Sequence, residues 1–208
     1  MRNKMILLLI IGTLFYTCKK NAGIFEISGT ITDMSITSGL EDCSVHLYSF
    51  PVGTSEEILT DSTFTGNDGS YSFSFERSQM EKYKIKFIKE GYFQGEETIY
   101  FSELSLEEVN IIDLETYGKS WVGLHLINEN PQAEDHFRYI KQEGKIDCLE
   151  CCPSEEQNFY GNLDTIIYCA NNANNLYSIM YWVVGSPIVD IAGTNSAFMD
   201  TTLIEIAY

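Results

Sequence analysis

The strongest constraint on this chain is a two-residue alternation of apolar and polar side chains that recurs in short segments. It runs through Phe25-Glu26-Ile27-Ser28-Gly29-Thr30-Ile31-Thr32, through Tyr71-Ser72-Phe73-Ser74-Phe75 and through Tyr83-Lys84-Ile85-Lys86-Phe87. A period of two places every apolar side chain on one face of a strand and leaves the other face wet. Thirteen Tyr and twelve Phe against four Pro favour pleated strands. No segment sustains a helical period, and Glu103 to Val109 is the one stretch open to a helical turn. Thr65-Gly66-Asn67-Asp68-Gly69 separates two of the alternating runs with residues that tolerate the positive φ of a tight turn. Such spacing predicts an all-β sandwich.

The order of these pieces carries a resemblance. Ile27 to Asp33 is followed by Gly39-Leu40, Val45-His46-Leu47, Asn67-Asp68-Gly69-Ser70-Tyr71-Ser72-Phe73, and Tyr83 to Phe87 with Glu90-Gly91-Tyr92. Together they resemble the carboxypeptidase regulatory-like domain, a transthyretin-like Greek-key sandwich of about seven strands similar to collagen-adhesin B-type repeats. The resemblance implies a non-catalytic accessory module over residues 24–116. It departs from the family where Gly39-Leu40 and Asp42 replace the usual Pro-Leu and following Gly. Some adhesin repeats carry a Lys-to-Asn bond that needs a lysine on the first strand, and this first strand has none.

From Tyr117-Gly118 the pattern restarts and resembles no family. Ser120 to Asn128, Asp164 to Cys169, Leu176 to Val184 and Thr201 to Tyr208 read as strands, with a break at Asn128-Glu129-Asn130-Pro131. A second β-sandwich over residues 117–208 is the natural reading. Leu176 to Val184 is apolar almost throughout, which predicts a central strand covered on both faces. No Ser/Gly/Pro-rich linker separates the halves, so the two should pack closely.

Residues 1–17 have the layout of a signal peptide. Arg2 and Lys4 precede a 12-residue apolar run, Met5 to Tyr16, too short for the roughly 20 residues that span a bilayer. Phe15-Tyr16-Thr17-Cys18-Lys19-Lys20 resembles the relaxed lipobox of Bacteroidetes-type lipoproteins. That resemblance implies cleavage before Cys18, lipid attachment to its thiol and a tether over residues 18–23. Two or more acyl chains would hold the protein on a membrane essentially permanently, at about 0.8 kcal/mol per buried CH₂. Lys19-Lys20 lacks an inner-membrane retention aspartate, and no acidic surface-export run follows. The expected location is therefore the periplasmic side of the outer membrane.

A chain starting at Cys18 carries 11 Lys+Arg against 30 Asp+Glu, a net of −19. Nucleic acid is a poor partner for such a surface. The lipid would make the membrane contact, and an envelope protein is the expected partner.

Five cysteines remain besides Cys18: Cys43, Cys148, Cys151, Cys152 and Cys169. The number is odd, so at least one thiol stays free or pairs elsewhere. In an exported protein disulfides come first, and a bridge from Cys169 to either Cys152 or Cys148 is expected. The alternative is a zinc site built from Cys148, Cys151, Cys152 and Cys169, although adjacent cysteines rarely face one metal and a second C-x-x-C is missing. A redox C-x-x-C of the thioredoxin kind finds no βαβ pattern around it. Asp61, Asp68 and Asp113 lack calcium-loop spacing. His46, His125 and His136 are scattered, and no G-x-S-x-G or H-E-x-x-H motif occurs. No catalytic residue, metal or cofactor is assigned. A further alternative is glycan binding in a nutrient-uptake system, with Trp121, Tyr160 and Tyr177 as a stacking platform.

Overall fold

The computed structural model describes residues 23–208. The leader and Cys18 lie outside the described residues. The chain is all-β, built as two consecutive sandwiches. The first contains β1 (Ile24–Asp33), β2 (Ser38–Gly39), β3 (Ser44–Pro51), β4 (Ile58–Phe64), β5 (Ser70–Glu76), β6 (Met80–Ile88), β7 (Gly95–Tyr100), β8 (Asn110–Ile111) and β9 (Leu114–Thr116). In one sheet β1 is central, antiparallel to β2 and β5 and parallel to β8 and β9. The facing sheet has the order β4-β3-β6-β7, all antiparallel.

The alternation read from the sequence sets which side chains meet between the sheets. Phe25, Ile27 and Ile31 of β1, Val45 and Leu47 of β3, Tyr71, Phe73 and Phe75 of β5, and Tyr83, Ile85 and Phe87 of β6 form one buried cluster. Each contributes about 1.5–3 kcal/mol by leaving water, and a one-residue slip of register would turn a whole strand's set outward. Gly29 sits where the Ile112 carbonyl crosses β1. A Cβ there would collide with that oxygen, so only glycine lets the chain return alongside β1.

The second sandwich contains β10 (Lys119–Ile127), β11 (His136–Glu143), β12 (Gln157–Tyr160), β13 (Asp164–Asn172), β14 (Leu176–Val183), β15 (Val189–Asn195) and β16 (Thr201–Ala207). Its sheets have the orders β13-β10-β16 and β12-β11-β14-β15. The pairing repeats that of the first half step by step. The opening strand β10 is antiparallel to β13 and parallel to the closing β16, as β1 is to β5 and to β8 and β9. Likewise β11 pairs with β12 and β14, and β14 with the edge strand β15, as β3 pairs with β4 and β6, and β6 with β7. The two halves thus share one strand order around separate cores.

Two expectations need correction. The helical turn falls at Phe101–Glu103, where Tyr100 N–H donates to the Glu103 carboxylate, and not across 103–109. Beyond it Asn110 accepts from Ser105 N–H and donates to the Ser105 and Glu26 carbonyls, which closes a loop in place of a helix. Nor is β14 covered on both faces. Tyr177 and Ile179 enter the core, whereas Met180 and Trp182 face outward and are only half-buried. Arg138 of β11 lies over the Trp182 ring at 4.9 Å, so an apolar side chain at 182 is shielded by a guanidinium and not by a third layer.

Candidate functional site

The two sandwiches meet around the short link Tyr117-Gly118. Gly118 N–H donates to Ser35 Oγ, Lys119 N–H to the Gly91 carbonyl, Ala173 N–H to the Gly118 carbonyl and Asn174 Nδ2 to the Ser35 carbonyl. Phe198, on the turn before β16, packs on Tyr92 of the first half with centroids 5.1 Å apart. Its ring fills the space that side chains would need at Gly91 and Gly118. Tyr92 OH in turn donates to the buried Asp33 carboxylate, and its phenol is pushed up to about 12 by burial and by that acidic neighbour.

Beside this junction opens a cleft of about 720 Å³, within the range of small-ligand sites. One wall is the turn Lys89–Gln94 of the first half. The other is the loop bearing Lys145, Asp147, Cys148, Leu149 and Glu150 of the second. Two ammonium groups approach the Phe93 ring, with Lys119 Nζ 5.4 Å and Lys145 Nζ 5.1 Å from its centroid. Lys119 also pairs with Glu150 at 3.1 Å.

The loop is shaped by its cysteines. Cys152 bonds Cys169, one of the two pairings expected for Cys169, and both are buried in the second core. Tyr177 OH reaches Cys169 Sγ at 3.2 Å, and burial raises that phenol's pKa. A second disulfide, Cys148–Cys151, closes a four-residue ring whose turn is held by Cys151 N–H donating to the Cys148 carbonyl. Ala170 N–H donates to the Glu150 carbonyl and ties the ring back to β13. The buried Lys141 donates to the Lys145 and Cys152 carbonyls from inside, and desolvation depresses its pKa. Cys43 is the buried free thiol among the described residues, and burial pushes it up to about 11.

These bonds dispose of the zinc alternative in the oxidised protein. The four sulfurs are bonded in two pairs, Cys148–Cys151 and Cys152–Cys169, and present no thiolate to a metal. Among the described residues no cluster of three or more His, Cys, Asp or Glu forms a metal site.

The three proposed platform rings are not brought together either. Tyr177 is fully buried and Trp121 half-buried, while Tyr160 is 66% exposed. Tyr177 belongs to the inward alternation of β14, which the nearly uniform apolarity of that segment concealed. What Tyr160 does meet is His136, ring on ring at 4.3 Å, and His136 Nε2 bonds Asn158. His125 sits between Asp164 and Glu205 on a different sheet, and His46 bonds Ser44 in the first sandwich, so the histidines share no site.

Neither a protein-family model nor a curated relative matches the sequence. Solved structures match at low identity and low TM-score. They include the Bacillus anthracis TIE protein (14% identity, 89% of this chain and 34% of that one, TM-score 0.40). A streptococcal ancillary pilin is 10% identical over 90% of this chain and 63% of its own, with a TM-score of 0.35. The shaft pilin SpaA of Lactobacillus rhamnosus GG is 8% identical over 88% and 97%, with a TM-score of 0.36. The chain spans about a third of the first protein's length and under two thirds of the second's. Likeness this distant fixes neither kinship nor function.

Proposed function

We propose that this chain is a lipid-anchored envelope protein whose two sandwiches act as a non-catalytic structural or binding module. The observation that carries the reading is the serial repeat. Two sandwiches of one strand order follow each other with a two-residue link, and Phe198 wedges them together. That arrangement suits a spacer that holds a surface at a set distance from its attachment point. Its first strand starts six residues after Cys18, so an acylated Cys18 would place the first sandwich against the membrane. The resemblance of residues 24–116 to carboxypeptidase regulatory-like domains favours the same accessory role. The membrane would be the outer one, with the protein on its periplasmic side and an envelope protein as partner. The test is metabolic labelling with a palmitate analogue. The wild-type chain should be marked and remain with membranes, and Cys18→Ser should be unmarked and released. An unmarked wild-type chain, or a mature product still beginning at Met1, overturns the reading.

A second reading, glycan binding, draws on the outer face of the β12-β11-β14-β15 sheet. The stacked Tyr160–His136 pair, Asn158, the Arg138–Glu156 ion pair and Trp182 share that face, with Val189 and Ile191 exposed beside them. Rings flanked by hydrogen-bonding groups suit the C–H faces and hydroxyls of a sugar. Calorimetric titration with neutral and acidic oligosaccharides should detect binding that Tyr160→Ala abolishes. Binding unaffected by that change, or none at all, removes this reading.

A further inference from the structure

We propose that Cys148–Cys151 is a thiol–disulfide exchange centre that takes a dithiol as its substrate, distinct in role from the structural bond beside it. The inference goes beyond the module reading and does not depend on the lipid anchor.

The two disulfides differ in burial and so in access to an attacking thiolate. Cys152 and Cys169 are buried in the core of the second sandwich, under Tyr177 and the Lys141 ammonium, and join residues 17 apart. An attacking thiolate has no approach to that bond without opening the sheet. Cys148 and Cys151 lie outside the core and are each partly exposed, and between them stands Leu149, fully exposed. Cys148 lines the junction cleft together with Lys89, Lys119 and Lys145 and with Glu90, Asp147 and Glu150, the last paired with Lys119. Disulfides that solvent reaches are the ones that exchange, and Lys145, whose ammonium makes no ion pair among the described residues, is a cation of this cleft available to stabilise a released thiolate. Leu149 at the tip of the ring and Phe93 on the opposite wall supply apolar contact for an incoming peptide or small dithiol.

The chemistry balances with an external dithiol as reductant. One thiolate of the dithiol attacks Cys148 Sγ from the cleft, and the Cys148–Cys151 bond breaks. Its electron pair goes to Cys151 Sγ, which takes a proton from solvent. The second thiol of the donor, after losing its proton, attacks the donor sulfur of the mixed disulfide and expels Cys148 as a thiolate into the cleft that Lys119 and Lys145 also line. The donor leaves as a disulfide, and the pair has gained two electrons and one proton; a second proton from solvent converts the Cys148 thiolate to the thiol. The reverse sequence oxidises a dithiol partner. Cys148 is thus the attacking cysteine of the reduced form, and Lys119 and Lys145 are positioning residues that act through it.

The test uses the mature protein with dithiothreitol as the probe, alkylation of released thiols and peptide mass spectrometry. Cys148–Cys151 should open at a thiol concentration at least about tenfold below that needed for Cys152–Cys169, with the melting transition retained. In the partly reduced protein, the pH profile of iodoacetamide reaction should show a Cys148 pKa below the ordinary thiol value of about 8.5. Lys119→Met together with Lys145→Met should return it toward that value, and the paired Arg substitutions should restore the depression. A Cys151→Ser variant should form a mixed disulfide with a dithiol probe through Cys148. The proposal is overturned if both bonds open together, if the core bond opens first, or if Cys148 titrates at the ordinary value with both lysines present.

Discussion

Phe198 stacks against Tyr92 across the junction, at 5.1 Å between centroids and a 40° tilt, and this contact joins residues from the two sandwiches. It exists because Gly118 leaves room: a Cβ at 118 would lie 2.5 Å from Phe198 Cδ2. Gly118→Ala should therefore cost about 1–3 kcal/mol by overpacking, and Phe198→Ala about 1–2 kcal/mol, since that ring is partly exposed. The double variant should cost less than the sum by about 1 kcal/mol, because removing the ring removes the clash. Equilibrium urea unfolding of the four proteins measures the coupling. Strict additivity would mean that the wedge does not hold the halves together.

The Cys152–Cys169 bond should carry most of the disulfide stabilisation. It closes a 17-residue span inside a packed core, worth about 3 kcal/mol of loop-closure entropy. Cys152→Ala with Cys169→Ala should lower Tm by roughly 6–12 °C, at about 2–4 °C per kcal/mol for a chain of this size. Removing Cys148–Cys151 in the same way should shift Tm by about half as much, because the same loop-closure relation gives about 1.6–1.9 kcal/mol for a ring that spans only three residues. Scanning calorimetry of the two double variants compares them directly.

Lys141 should behave as the internal latch of the disulfide loop. Its ammonium donates to the Lys145 and Cys152 carbonyls, and a buried hydrogen bond from a charged donor contributes about 1.5–3 kcal/mol. Lys141→Ala should destabilise by about 2–4 kcal/mol, since it also vacates the space of the stem. Amide exchange at Cys151 and Ala170, whose N–H groups bond within this loop, should accelerate more than exchange in β10. Uniform acceleration would show that the lysine supports the whole sandwich and not the loop.

How much of this was readable beforehand follows from where each residue lies in its sheet. Phe25, Ile27, Tyr71, Phe73, Tyr83 and Ile85 alternate cleanly because β1, β5 and β6 each present one face to the core, and a half-buried strand prints that face into its sequence. The edge strand β4 is exposed almost throughout, and the outer strand β15 nearly so, so Ile58–Phe64 and Val189–Asn195 leave no such mark. The repeat of strand order lies in pairing between distant segments, which has no local signature, and the core residues that implement it differ in the two halves. Cys169 could be matched to the 148–152 cluster because the expectation of an exported chain puts disulfides first. The ring Cys148–Cys151 was hidden, since Cys152 competed for either partner until the strand β13 placed Cys169 under Tyr177.

Acid should loosen the loop after β10 before it touches the core. Asp135 accepts from Asn128 Nδ2 and from Gln132 N–H, both at 2.8 Å, and these bonds hold its carboxyl below the usual aspartate value. A carboxylate depressed in the folded state contributes stability that is present above its unfolded pKa, near 3.9, and is lost as pH falls through the lower folded value. Protonation removes the acceptor charge, so the loop should stay closed at pH 5 and open progressively below about pH 4. Gly161 N–H, which donates to the Asp135 carbonyl at 2.8 Å, reports this locally. In Asp135→Asn the same amide should already exchange faster at pH 5, with little further change on acidification. If the variant instead retains the wild-type acid step at Gly161, the titrating group lies elsewhere, with Glu129 and Glu134 on the same loop next to be substituted.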